Sequence, residues 1–296
     1  MKLILGGGLT ALLARDILGS NWMMVPIGRS LYYSFIPPLC DNYVIKDSTI
    51  DDYMSQWAYI PIYTKIAFSY GGQITYNQHL ALQPWLERIY GGDLPPQAGS
   101  YWKNHLEYFA YGDCVDMYRR LQAKYKEELL GSDSKWGIPI SIKDGVIKTD
   151  KLQSEYDEII STIPLHALLP MVGITADLPS RDLWCYHLLT DCLDFEGATS
   201  LFVVDQSIEF FKATNIGPNS YVFYSTKEIV QPGRYFMALM KRFELTGETR
   251  LERAIPRGPI PQFEALKNAN ITCLGRNAVW DDCMDVGTCI KRLLRR

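Results

Sequence analysis

Apolar residues fill Lys2 to Leu5, stop at Gly6, Gly7 and Gly8, and resume at helical spacing from Leu9 to Leu18. The pattern predicts a buried strand, a tight turn and a helix. A second strand is read over Met23 to Ile27, and the loop Ile36-Pro37-Pro38-Leu39 closes this opening stretch. Between residues 50 and 130 aromatic residues dominate, with helical spacing over Asp51 to Tyr59 and again over Val115 to Leu130, so an aromatic-rich helical part is expected. Two short strands follow at Ile138 to Ile142 and Val146 to Thr149, joined at Lys143-Asp144-Gly145. A buried strand over Ile159 to Ser161 turns at Thr162-Ile163-Pro164 into a helix over Leu165 to Leu169, with the proline where its missing N–H does no harm.

Five β segments are read next, at Trp184 to Thr190, Ser200 to Val204, Glu209 to Thr214, Tyr221 to Ser225 and Tyr235 to Lys241, as in an antiparallel sheet. Last come a strand over Ile271 to Leu274, a turn at Gly275-Arg276 and a helix over Asp285 to Leu294. This order implies an α/β protein whose Rossmann-like nucleotide-binding domain is built from discontinuous segments, 1–48, 112–180 and 255–296. A substrate domain, 49–111 and 181–254, would carry the antiparallel sheet and the aromatic-rich helical part.

The opening glycines suggest chemistry. Gly6 and Gly8 fit the first two places of G-x-G-x-x-G, and Ala11 stands third, where a small residue lets the helix pack on the strand. Unpaired N–H groups and the positive dipole end of the helix, around Gly7, Leu9 and Thr10, suit a pyrophosphate. The acidic residue that usually follows the second strand to hold a ribose is replaced by Gly28, Arg29 and Ser30. The three glycines and Arg15-Asp16 also break the apolar run that a secretory leader needs.

Composition narrows the classes. The 296 residues are 47% hydrophobic and 21% charged, with a net charge of −3, which gives nucleic-acid binding no help. No apolar run reaches the ~18 residues that span a bilayer, so no membrane partner is expected. Seven scattered cysteines without a C-x-x-C pair suggest reduced thiols and a cytoplasmic location. The four histidines, at 79, 105, 166 and 187, form no metal-ligand spacing, and no metal is expected.

Three stretches together resemble a known group: LILGGGLTALLAR at the start, EYDEIISTIPLHAL from Glu155, and CLGRNAVWDDCMDVGTCIKRL from Cys273. They are similar to FAD-dependent proteins of the amine oxidase, protoporphyrinogen oxidase and UDP-galactopyranose mutase superfamily, the last stretch most like the mutase branch. The resemblance implies FAD as cofactor, with Gly6, Gly8 and Ala11 at its pyrophosphate and Thr162 and Pro164 by the adenosine-proximal part. It places Gly275 and Arg276 near the phosphates and ribityl chain, and the helix start around Met284, Asp285 and Val286 at the pyrimidine edge of the flavin.

A flavin carries the hard chemistry, so the protein need only orient a substrate and tune the ring. Candidate wall residues are Lys212, Tyr224, Trp280 and His187. The plainer readings are a solvated edge-strand lysine for Lys212 and a structural histidine for His187. The expected activity is oxidation of an amine or similar small polar substrate by hydride transfer. A redox-neutral mutase or lyase, on a nucleotide or nucleic-acid-linked substrate, is the alternative, and an arginine pair clamping a diphosphate would mark it; Arg234, Arg242, Arg250 and Arg253 lie in the right region. A non-catalytic module that keeps the fold is the third reading.

Overall fold

A computed structural model describes residues 1–26, 43–59, 61–91, 94–95, 98–104, 106–257, 261–279, 281 and 284–296. The chain begins with β1 (Lys2–Leu5), α1 (Leu9–Leu18), β2 (Trp22–Val25), β3 (Tyr43–Ile45) and α2 (Asp51–Ser55). Next are β4 (Ile62–Tyr70), β5 (Gln73–Thr75), α3 (Gln78–Tyr90), α4 (Ala98–Asn104) and β6 (Glu107–Asp113). Helices α5 (Cys114–Lys124) and α6 (Lys126–Trp136) lead to β7 (Pro139–Lys143), β8 (Val146–Thr149), β9 (Gln153–Glu155), β10 (Glu158–Ser161) and α7 (Leu165–Met171). Then follow β11 (Ser180–Leu189), β12 (Ser200–Val203), β13 (Lys212–Gly217), β14 (Ser220–Ser225), α8 (Pro232–Leu239) and β15 (Glu244–Pro256). The last elements are α9 (Glu264–Asn268), β16 (Ile271–Cys273), α10 (Arg276–Val279) and α11 (Val286–Leu294).

The chain divides into two units: Met1–Ile60, Tyr111–Leu178 and Ile260–Arg296 form the first, Pro61–Ala110 and Pro179–Pro259 the second. In the first unit a parallel sheet runs in the order β16-β10-β1-β2, with Leu3 beside both Ile159 and Met23. Its strands are covered on both faces, which is why successive positions such as Leu3–Leu5 and Ile159–Ile160 are apolar. Ile4, Met24 and Ile160 join one core with Leu12 and Leu13 of α1, Leu121 of α5 and Ile290 of α11. Leu3, Leu5, Val25 and Ile159 turn the other way, onto Trp136, Ile147 and Leu168. The single helix expected over Val115 to Leu130 is two helices, α5 and α6, that meet at Tyr125.

The second unit holds a mixed sheet in the order β15-β11-β14-β13-β12-β4-β6, with β5 on β4. Neighbours are antiparallel except β12 and β4, where Phe202 lies beside Phe68 in parallel. Three expectations are corrected here. The stretch from 62 to 110 contributes β4, β5 and β6 as well as helices, because in β4 (IYTKIAFSY) the bulky residues stand on both faces of a strand. Tyr235 to Lys241 is not a strand: Pro232 starts α8 at its first position and Phe236 alone of that helix is buried. Finally, β15 extends the sheet over a polar stretch in which no strand is expected.

Candidate functional site

The turns at the C-terminal ends of the parallel strands are tied side by side. Gly6 N–H donates to Val25 O at 3.0 Å, and both the N–H and the hydroxyl of Thr162 donate to Leu5 O at 2.9 Å. Leu274 N–H donates to Ser161 O at 2.9 Å. Each strand thus fixes where its neighbour's chain turns.

Gly6 has φ +122°, and a Cβ there would lie 2.2 Å from Thr162 Oγ1. Only glycine fits, on both conformational and steric grounds. Gly275, at φ +98°, is pressed against α1 in the same way, since a Cβ would come within 3.1 Å of Thr10 Oγ1. The 1–26, 158–164 and 271–279 segments therefore meet at one place. Gly8 differs from both: it is the N-cap of α1, no side chain caps that helix start, and a Cβ on Gly8 would meet nothing within 4 Å. An uncapped helix start with open space before it leaves backbone N–H groups available to an anion. Leu9 and Ala11, both buried, hold α1 on the sheet behind that opening.

The sequence-predicted residues play different parts here. Gly6, Gly7, Gly8, Thr162 and Gly275 stand together at the strand ends, whereas the Thr162 hydroxyl is spent on Leu5 and the Thr10 hydroxyl faces the Gly275 turn. Pro164 is the N-cap of α7, its carbonyl accepting from Ala167 N–H and Leu168 N–H. Arg276 opens α10 directly after the Gly275 turn. Met284 is buried, Asp285 caps α11 by accepting from Thr288 N–H at 2.6 Å, and Val286 is the first residue of that helix. Gly28, Arg29, Ser30 and Trp280 lie outside the described residues.

One contributor was missed by sequence reasoning. The thiol of Cys289, wholly buried in α11, is pushed up to about 12 by burial, with hydrogen bonds to Thr10 and Gly275 pulling the other way. It links α11 to the glycine turn. Its place on the apolar face of α11, one residue before Ile290, was the available signal. Asp47 adds a second tie, since its carboxylate is lowered to about 2 by the Lys291 ammonium and by Thr49.

In the second unit Lys212, Tyr224 and Phe202 stand opposite one another on β13, β14 and β12, so they share one face of the sheet. The Lys212 ammonium lies 5.5 Å from the centres of both the Phe202 and the Tyr224 ring. Lys212 and Tyr224 are fully buried. The expectation of a solvated edge-strand lysine is corrected: β13 is an interior strand, and two aromatic faces replace water around the ammonium. His187 lies on the same face, two residues along β11 from Cys185, the neighbour of Tyr224. Its Nε2 is buried with no hydrogen-bond partner among the described residues, and burial holds its pKa below the usual histidine range. Among the described residues no group of three His, Cys, Asp or Glu could hold a metal ion, and no helix is long and apolar enough to cross a membrane.

No family model matches the chain, and no curated protein matches it in sequence. Solved structures do match it. A reduced UDP-galactopyranose mutase superposes with TM-score 0.70 at 14% identity, over 98% of this chain and 91% of that one. Cyclohexylamine oxidase from Brevibacterium oxydans IH-35A matches with TM-score 0.58 at 10% identity, over 99% and 96% of the two chains. L-proline dehydrogenase from P. horikoshii gives 0.55 at 10% identity, over 99% and 91%. With a parallel sheet split over three segments and a large inserted sheet, the chain has the fold shared by UDP-galactopyranose mutase, cyclohexylamine oxidase and L-proline dehydrogenase.

Proposed function

We propose that the chain binds FAD at the glycine turn of its first unit and oxidises an amine or similar small polar substrate. The observation that carries this reading is the uncapped start of α1, with open space at Gly8, Gly6 packed too closely on Thr162 for any side chain, and Gly275 held at positive φ against Thr10. Such a cradle suits a pyrophosphate. The N–H groups of Gly7 to Ala11 would hold the phosphates, Arg276 would add a cation after its turn, and the α11 start would favour negative charge. Bound FAD would supply the acceptor for a hydride from substrate. The chain's own task is then to position the substrate and exclude water.

A redox-neutral, mutase-like reaction is the second reading, favoured by the TM-score of 0.70 with the mutase. One of the arginines expected to clamp a nucleotide diphosphate argues for the oxidase instead: Arg250 is engaged by Asp182 at 2.6 Å and so is committed elsewhere.

The test is the visible spectrum of the purified protein. A flavin spectrum that candidate amines bleach without oxygen is expected. A protein that stays colourless when FAD is added overturns both readings, and turnover only after chemical reduction favours the redox-neutral one.

A further inference from the structure

The two most exposed large apolar side chains among those described, Val230 at 77% and Met237 at 69%, lie seven residues apart beside and on α8. Neither sits on a loose segment. Ile229 is buried and its N–H donates to Tyr186 Oη at 2.7 Å; Glu209 N–H donates to Tyr235 Oη at 2.9 Å. Phe236 is wholly buried against Phe210, Phe223 and Tyr186. The helix is therefore clamped from behind by one ring. Opposite that ring, at helical spacing, stand Arg234, Met237 and Ala238, all exposed. Leu239 is 47% exposed as well.

Charge follows the same pattern. The run from Lys227 to Arg242, KEIVQPGRYFMALMKR, holds Lys227, Arg234, Lys241 and Arg242 against the single acid Glu228, a local balance of +3 (4 − 1) in a chain whose net charge is −3. All four cations are exposed. Apolar side chains held outward on a rigid base and ringed by cations match an interfacial helix. We propose that this face of the second unit seats on an anionic lipid surface, Val230, Met237 and Leu239 entering the headgroup region while Arg234, Lys241 and Arg242 meet lipid phosphates. This runs against the expectation that the protein has no membrane partner. A second copy of the chain fits less well, because a two-fold contact would set these cations against themselves, and one short helix covers far less than the ~800 Å² per partner of a stable dimer.

Co-sedimentation of the full chain with vesicles of phosphatidylcholine alone, or with one fifth phosphatidylserine, tests this. Binding only to the anionic vesicles is expected, weakened in high salt. Val230→Asp with Met237→Asp should lower the bound fraction at least tenfold, whereas Leu80→Asp, at an apolar side chain 54% exposed on α3, should leave it unchanged. The charge reversal Arg234→Glu with Lys241→Glu gives the same loss without touching the apolar residues. Equal binding to neutral vesicles, no binding to either, or binding that survives both pairs of substitutions overturns the proposal. So does a dimer in solution that Met237→Asp dissociates.

Discussion

The hydroxyl of Thr162 occupies the space that a side chain on Gly6 would need, 2.2 Å from an ideal Cβ, while donating to the carbonyl of Leu5 just before that glycine. Gly6→Ala therefore meets a steric clash and a φ of +122° together. A residue forced into such a region costs about 1–3 kcal/mol before the clash is counted. Urea unfolding should show the loss, and FAD titration should show no uptake. Gly6→Ala with Thr162→Ala should regain only part of the midpoint, because the backbone strain remains.

Asp16 accepts from Tyr53 Oη at 2.8 Å, Tyr125 Oη at 2.7 Å and Lys124 Nζ at 2.5 Å, with its carboxylate only 5% exposed. Burial pushes its pKa up, but the three donors outweigh that and hold it below the usual range. A depressed folded pKa stabilises the fold above the unfolded value of ~3.9 and loses that contribution as pH falls through the folded value. Asp16→Asn should cost about 2 kcal/mol near neutral pH. The gap between wild type and variant should close in urea melts below about pH 4.

His187 is held neutral by burial, so its folded pKa lies below the ordinary value. The unfolded chain takes up a proton below ~6.5 that the fold refuses, so stability is full above that pH and declines beneath it. His187→Phe should flatten the fall in urea midpoint between about pH 7 and pH 5. An unchanged slope would mean that the ring titrates freely.

Lys212 allows structure and chemistry to be separated. Lys212→Met keeps most of the volume against Phe202 and Tyr224 but removes the charge. A fully buried ammonium reaches no substrate, so turnover and FAD uptake should both stay intact while the melting point shifts by only a few degrees, and a tenfold or larger loss of turnover would put Lys212 in the chemistry. Retained turnover would assign Lys212 to packing alone.

The first unit was largely readable from sequence because its strands are buried on both faces and place apolar residues in succession, as at Leu3–Leu5 and Ile159–Ile160. The glycine turn announced itself through Gly6, which no other residue can replace without strain. The second unit was harder. In β15 exposed positions alternate with half-buried ones over Glu244 to Glu252, so the strand carries too few apolar side chains to signal itself. Tyr235 and Phe236 are strand-forming by type, and Pro232 before them is the helix-start signal that decides against a strand. The catalytic candidates share a sheet face only through pairing between strands, which spacing along one strand does not reveal.

The strand order β16-β10-β1-β2 also sets when this protein is finished. Leu3 takes Ile159 as its neighbour, and Ile159 in turn waits for Ile271. A chain leaving the ribosome therefore carries β1 unpartnered on one edge until β10, at Glu158–Ser161, has been made. The glycine turn gains its last wall, at Gly275, only after β16 has been made. Closing such distant pairs is slow. Until then, the exposed edge of β1 is where a chaperone or a stray strand would find the nascent protein.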